Sequence, residues 1–218
     1  MTAGVTYVVA HRAANALADF SRAAATGVAM VEGDVHLFWR RLEVRHLKTL
    51  GPIPILWDRW FLANPFTPRL TLTRLLRHAA THVHVMLDLK GVRAAVGDAV
   101  RRVLLAEAPG RAVTVCSRNW RALERLRGVP GVRVVHSVGS RRQLAALLAR
   151  FGPGSLEGVS IHADVLTPAI VRGLRTRANT VMSWPVSSPT QAARLAAWGV
   201  EGFIAERPEA LLASPAAP

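Results

Sequence analysis

The chain has 218 residues, half of them hydrophobic. That is enough for one domain with a full core and excludes a disordered chain. The formal net charge of +14 is compatible with an anionic substrate. Nucleic acid is not expected, because the arginines are scattered along the chain and no nucleic-acid motif accompanies them.

Short β-branched runs alternate with amphipathic stretches along the whole sequence. A strand over Val5–Ala10 precedes a helix over Leu17–Ala25, and a strand over Val28–His36 follows. Next comes a segment that breaks the rhythm, Gly51–Pro68, which is Pro-interrupted and aromatic (Trp57, Trp60, Phe61) and reads as a long ordered loop packed onto the body of the domain. The alternation resumes with a helix over Leu70–Ala80 and a strand over Val83–Leu89. Helices over Val92–Glu107 and Trp120–Arg127 then flank a strand over Ala112–Cys116. A strand over Val132–His136, a helix over Arg141–Arg150, a strand over Gly158–Ile161 and a helix over Thr167–Arg175 continue the pattern. Strands over Thr180–Trp184 and Gly202–Ala205, with helices over Pro189–Trp198 and Pro208–Ala213, complete it.

Strands followed by helices at this pitch predict parallel βαβ units, and eight of them predict one compact (β/α)₈ barrel over residues 1–218. An open doubly wound sheet would carry a Gly-rich turn after its first strand, and Ala10–Asn15 is not one. No apolar run is long enough to span a bilayer. Met1–Gly4 lacks the basic and apolar regions of a secretory leader, so a cytoplasmic location is expected, and the lone Cys116 agrees with it. Oligomeric state is not legible.

Barrel enzymes place their chemistry where strands end at the C-terminal face. The first strand ends at His11-Arg12. The second carries Glu32, Asp34 and His36 at a spacing of two, hence on one side. The third ends in Asp88-Leu89-Lys90, and the seventh ends at Trp184. Carboxylates Glu32, Asp34 and Asp88 converging on one mouth would repel each other without a cation, and an all-oxygen set suits Mg²⁺ or Ca²⁺. His36 is expected at the rim. His136 and His162 also sit near strand ends, where they could line the pocket, and a structural role is favoured for both.

The ordered series His11-Arg12, Val31-Glu-Gly-Asp-Val35, Val44-Arg-His46 and Leu87-Asp-Leu-Lys90 resembles the glycerophosphodiester phosphodiesterase family, which runs His-Arg-Gly, Glu-x-Asp-Val, His-Asp and Glu-x-Lys. Val181–Val186 and Gly199–Pro208 are similar to its last two strands. Ala13 stands where the family has Gly, Leu47 where it has Asp, and Asp88 where it has Glu, as in the related sphingomyelinase D-like toxins. The family's insertion after the second strand is shortened to Gly51–Pro68. The resemblance implies a metal-dependent phosphoric diester hydrolase of lipid metabolism acting on a glycerophosphodiester or a related lipid-derived phosphodiester. It also implies His11 and His46 as an acid–base pair, Glu32, Asp34 and Asp88 as metal ligands, and Arg12, Lys90 and Trp184 at the substrate. A lyase releasing a cyclic phosphate and a non-catalytic phosphate-binding relative are the alternative readings.

Overall fold

The computed structural model describes residues 6–50, 53–58, 61–62, 69–80 and 82–213. Strand β1 (Tyr7–Ala10) leads through a 3₁₀ turn (Ala13–Asn15) into helix α1 (Leu17–Ala24), and β2 (Met30–Phe38) follows. Four short strands come next: β3 (Arg41–Val44), β4 (Lys48–Leu50), β5 (Ile53–Asp58) and β6 (Phe61–Leu62). Strict alternation then sets in with α2 (Leu72–His78), β7 (Val85–Leu89), α3 (Ala95–Glu107), β8 (Val113–Ser117), α4 (Trp120–Glu124) and β9 (Val132–Val138). It continues with α5 (Arg141–Arg150), β10 (Gly158–His162), α6 (Pro168–Arg175), β11 (Val181–Trp184), α7 (Pro189–Trp198), β12 (Gly202–Ala205) and α8 (Pro208–Leu212).

Eight parallel strands neighbour one another in the order β1-β12-β11-β10-β9-β8-β7-β2, and β1 pairs with β2 to close the barrel. The eight expected strands are those of the barrel; Val5 lies outside the described residues. Hydroxyls cap the helices that follow four of the turns, Thr71 on α2, Ser140 on α5, Thr167 on α6 and Ser188 on α7. Each such cap stabilises its helix by about 1 kcal/mol.

The two-residue period of the strands divides the core. Val9, Met30, Met86, Cys116, Val135, Met182 and Ile204 fill the barrel interior. Their sequence neighbours Val31, Leu87, Val115, Val134 and Phe203 face outward beneath the helices. One step further along β2 and β7, the next inward positions are Glu32, Asp34 and Asp88. The apolar plug therefore ends where the polar mouth begins.

The segment after β2 differs from the single loop expected of it. Strand β3 folds back on β2 in antiparallel register, His36 opposite Glu43, and β4, β5 and β6 form a separate antiparallel sheet. Alternating Pro and β-branched residues in Ile53-Pro-Ile-Leu56 hid this strand, since Pro demotes a run to an edge. Trp60 and residues 63–68 lie outside the described residues.

Candidate active site

The turn after β1 is held by the site it serves. Arg12 adopts a left-handed backbone (φ 59°), a conformation that costs a non-glycine residue roughly 1–2 kcal/mol. Two hydrogen bonds offset it: His11 N–H donates to Ala205 O at 2.8 Å, and Arg12 N–H donates to Glu32 Oε2 at 2.6 Å. The 3₁₀ turn then brings Asn15 onto Asp34. Its Nδ2 donates to Asp34 Oδ2 at 2.9 Å, and Asp34 N–H donates to Asn15 Oδ1 at 2.8 Å. Gly33 allows this approach, because a Cβ there would stand 2.8 Å from Ala14 Cβ.

The structure brings together Glu32, Asp34 and Asp88, with one carboxylate oxygen of each within 4.8 Å of the others. Glu32 and Asp34 are buried. Lys90 Nζ lies 2.7 Å from Asp34 Oδ1 and is also paired with Asp88. Three carboxylates against one ammonium would carry an excess of two negative charges if all were ionised. The protonation pattern reflects that excess. Burial, with Asp34 and Asp88 alongside, pushes Glu32 well above the usual carboxylate range. Burial raises Asp88 too, against the pull of Lys90. For Asp34 the Lys90 charge, its hydrogen bond and that of Asn15 outweigh burial and hold the carboxyl low. Burial disfavours the Lys90 charge, yet Asp88, Asp34 and Glu32 overcome it and raise the ammonium's pKa.

Two histidines flank the cluster. His11 Nε2 lies 3.9 Å from Glu32 Oε2, and its Nδ1 lies 3.8 Å from Glu206 Oε1. Burial, then the Arg12 charge, lowers its pKa to about 4, so the ring is neutral at neutral pH. His46 follows β3 and places Nδ1 3.4 Å from Asp34 Oδ2. The Arg12 guanidinium lies between Asp34 (3.9 Å) and Glu206 (3.4 Å), with a buried Nε that makes no hydrogen bond among the described residues. Trp184 sits at the mouth with its ring set edge-on to His162, centroids 4.9 Å apart.

Not every histidine belongs here. His136 faces outward from β9 and packs on Phe151 and Trp120 at 4.8 and 6.0 Å, which matches its structural reading. His162 is paired in register with Trp184 and stands with it at the mouth, the pocket-lining position that was the less favoured reading of it; an even spacing from Ser160 was its signal. His36 is half-buried above Asp34, and burial, then Arg45, holds its pKa down at about 4. Asn15 and Glu206 were missed as site residues. Glu206 directly follows β12 and was findable by the same strand-end rule that yields His11. Asn15 arrives on a 3₁₀ turn, which no spacing in the sequence announces.

By sequence the chain matches no protein-family model and no curated protein. By structure it is similar to a phosphodiesterase of Oleispira antarctica in complex with the product sn-glycerol-3-phosphate (TM-score 0.74, 18% identity, 95% of this chain and 96% of that one). It is similar to a glycerophosphodiester phosphodiesterase of Parabacteroides distasonis (0.75, 20%, 96% and 96%). A glycerophosphodiester phosphodiesterase of Thermotoga maritima is a further likeness (0.68, 18%, 95% and 96%). At these identities the likeness shows the fold alone: over almost its full length the chain has the closed eight-stranded parallel barrel of the glycerophosphodiester phosphodiesterase structures.

Proposed function

We propose that this chain is a metal-dependent phosphodiesterase that cleaves a glycerophosphodiester or a related lipid-derived diester, using His11 and His46 as acid and base. The observation that carries the reading is the placement of two histidines on opposite members of one carboxylate cluster, His11 beside Glu32 and His46 beside Asp34. Glu32, Asp34 and Asp88 would hold a hard divalent ion, Mg²⁺ or Ca²⁺: all their donors are oxygen, and with all three ionised the cluster's excess charge of two matches such a cation. When bound, the ion supplies charge for a phosphoryl oxygen.

The remaining steps belong to the chain's own groups. Arg12, with its unsatisfied buried Nε, binds a phosphoryl oxygen and neutralises charge in the transition state. Lys90 holds Asp34 and Asp88 in place and adds a positive charge at the same mouth. His11, kept neutral by burial and Arg12, takes the proton from the glycerol hydroxyl next to the ester oxygen. Asp34 orients His46 through Nδ1, so that Nε2 delivers a proton to the departing alcohol. The cyclic phosphate left on the glycerol is opened by water with the two roles exchanged. Trp184 and His162 wall the mouth. Cys116 is paired in register with Asp88, and burial together with Asp88 and Glu32 keeps it a thiol.

The test is a pair of variants and a pair of substrates. His11→Ala and His46→Ala should each lower kcat by about a hundredfold or more on an alkyl diester. On a p-nitrophenyl diester, whose leaving group needs no proton, His46→Ala should recover and His11→Ala should not. Near-wild-type turnover by His46→Ala on both substrates would remove His46 from the mechanism.

A further inference from the structure

A groove of about 440 Å³ opens beside the carboxylate cluster, within the size range of small-molecule sites. His46 and Asn15, both in contact with Asp34, form its inner end. Leu17, Val44 and Leu70 give it apolar walls, Arg69 lines it from its pair with the buried Glu43, and the exposed Arg74 stands toward solvent. We infer that this groove receives the alcohol released at His46, and that it selects a carbon chain ending in an anionic group over one ending in an ammonium. This rests on the proposed function, since it takes His46 to meet one ester oxygen.

Position gives the first half of the argument. A phosphoryl group at the cluster that presents an ester oxygen to His46 directs that oxygen's substituent along the groove, where the first surfaces met are apolar. Charge gives the second half. Glu43 is buried and binds both Arg45 (Nε to Oε2, 2.7 Å) and Arg69 (Nη1 to Oε1, 3.0 Å). Arg45 also donates to Leu47 O, which fixes the turn bearing His46. One carboxylate thus serves two of the three arginines that line the groove. Arg74 is exposed on the first turn of α2, and its guanidinium makes no ion pair or hydrogen bond among the described residues. A terminal carboxylate or phosphate would find a partner at this end. A terminal ammonium, as in choline or ethanolamine esters, would meet repulsion.

The experiment compares two phosphomonoesters of equal length, the phosphate esters of 6-hydroxyhexanoic acid and of 6-aminohexanol, binding to the full chain with Mg²⁺ or Ca²⁺ present. Calorimetry should show the carboxylate ester binding roughly fivefold more tightly or better, the scale of one exposed charge acting with opposite sign on the two ligands. Arg74→Glu should abolish or reverse that preference, and Arg74→Lys should keep it, with unchanged melting temperatures for both because the side chain is exposed. Equal affinities in the wild type, no binding of either ester, or a preference that survives Arg74→Glu would overturn the inference. The glycerol diesters of the same two alcohols separate it from the proposed function. Hydrolysis of both without preference would sustain the function and discard the groove, whereas selective binding without hydrolysis would do the reverse.

Discussion

Replacing Gly33 with alanine tests whether the site is built by the close approach of the Ala13–Asn15 turn to β2. The new Cβ would stand 2.8 Å from Ala14 Cβ and 3.1 Å from Val44 Cγ1, whereas carbon atoms settle at about 3.5–4.0 Å. Ala14 is fully buried and has no rotamer with which to yield, so the turn must lift by at least about 0.7 Å. Asn15 moves with it, and its two bonds to Asp34, now 2.9 and 2.8 Å, stretch to the edge of bonding range. Overpacking of this kind costs about 1–3 kcal/mol, and a weakened bond to a carboxylate adds about 1 kcal/mol. For a chain of this size a loss of about 3 kcal/mol lowers the melting temperature by roughly 6–12 °C. Divalent-ion affinity should fall about tenfold, because Asp34 loses the amide that orients it. Circular dichroism and calorimetric titration read the two effects. The double variant Ala14→Gly/Gly33→Ala should recover most of both, since it removes the clash at its source. Wild-type melting and wild-type ion affinity in Gly33→Ala would refute the packing argument.

Lys90→Met should destabilise the chelator-treated protein by about 3 kcal/mol, since it strips the ammonium from a cluster of three carboxylates. The same variant should gain more melting temperature than the wild type when Ca²⁺ is added; equal gains would show that Lys90 does not balance the cluster. His136 bears on acid stability. Burial, then Arg127 and Arg150, holds its pKa down at about 4, against about 6.5 in an unfolded chain. The folded state thus takes up its proton later than the unfolded state. The resulting stability is present above pH ~6.5 and is lost as the pH falls toward ~4, up to roughly 3 kcal/mol. His136→Phe, with its ring kept between Trp120 and Phe151, should lose about 2 kcal/mol less than the wild type between pH 7 and pH 4.5 in urea titrations. Parallel losses in the two proteins would place the acid sensitivity elsewhere.

The barrel was legible because its strands are short β-branched runs that, except after β2, lead directly into a helix, a pattern that parallel pairing satisfies. The carboxylate cluster was legible for the same reason. A period of two puts Glu32 and Asp34 on one side of β2, and the parallel register that sets Asp34 beside Asp88 follows from neighbouring strands. What joins those residues was not legible. Asn15 reaches Asp34 only because Gly33 lacks a Cβ, a condition that depends on Ala14 and Val44 from two other elements. The hairpin that carries His46 is held by Glu43, Arg45 and Arg69; the sequence presents all three as ordinary surface charge, whereas the fold buries Glu43 and Arg45 and sets the half-buried Arg69 on the same carboxylate. His136 and His162 received the same reading although strand period separates them: His162 shares the parity of Ser160 and meets Trp184, whereas His136 faces the helices.

The most direct test of the central claim is phosphorus NMR of sn-glycero-3-phosphoglycerol incubated with the protein and Mg²⁺ or Ca²⁺. Metal-dependent cleavage by the carboxylate cluster and the two histidines predicts that the diester resonance is replaced by a phosphomonoester, with any cyclic phosphate transient. The conversion should stop with chelator and with His11→Ala, and should slow with Glu32→Gln together with weaker calorimetric binding of the ion. A diester resonance that persists with either ion on this substrate and on a panel of other phosphodiesters would contradict the account. So would conversion that proceeds unchanged in chelator.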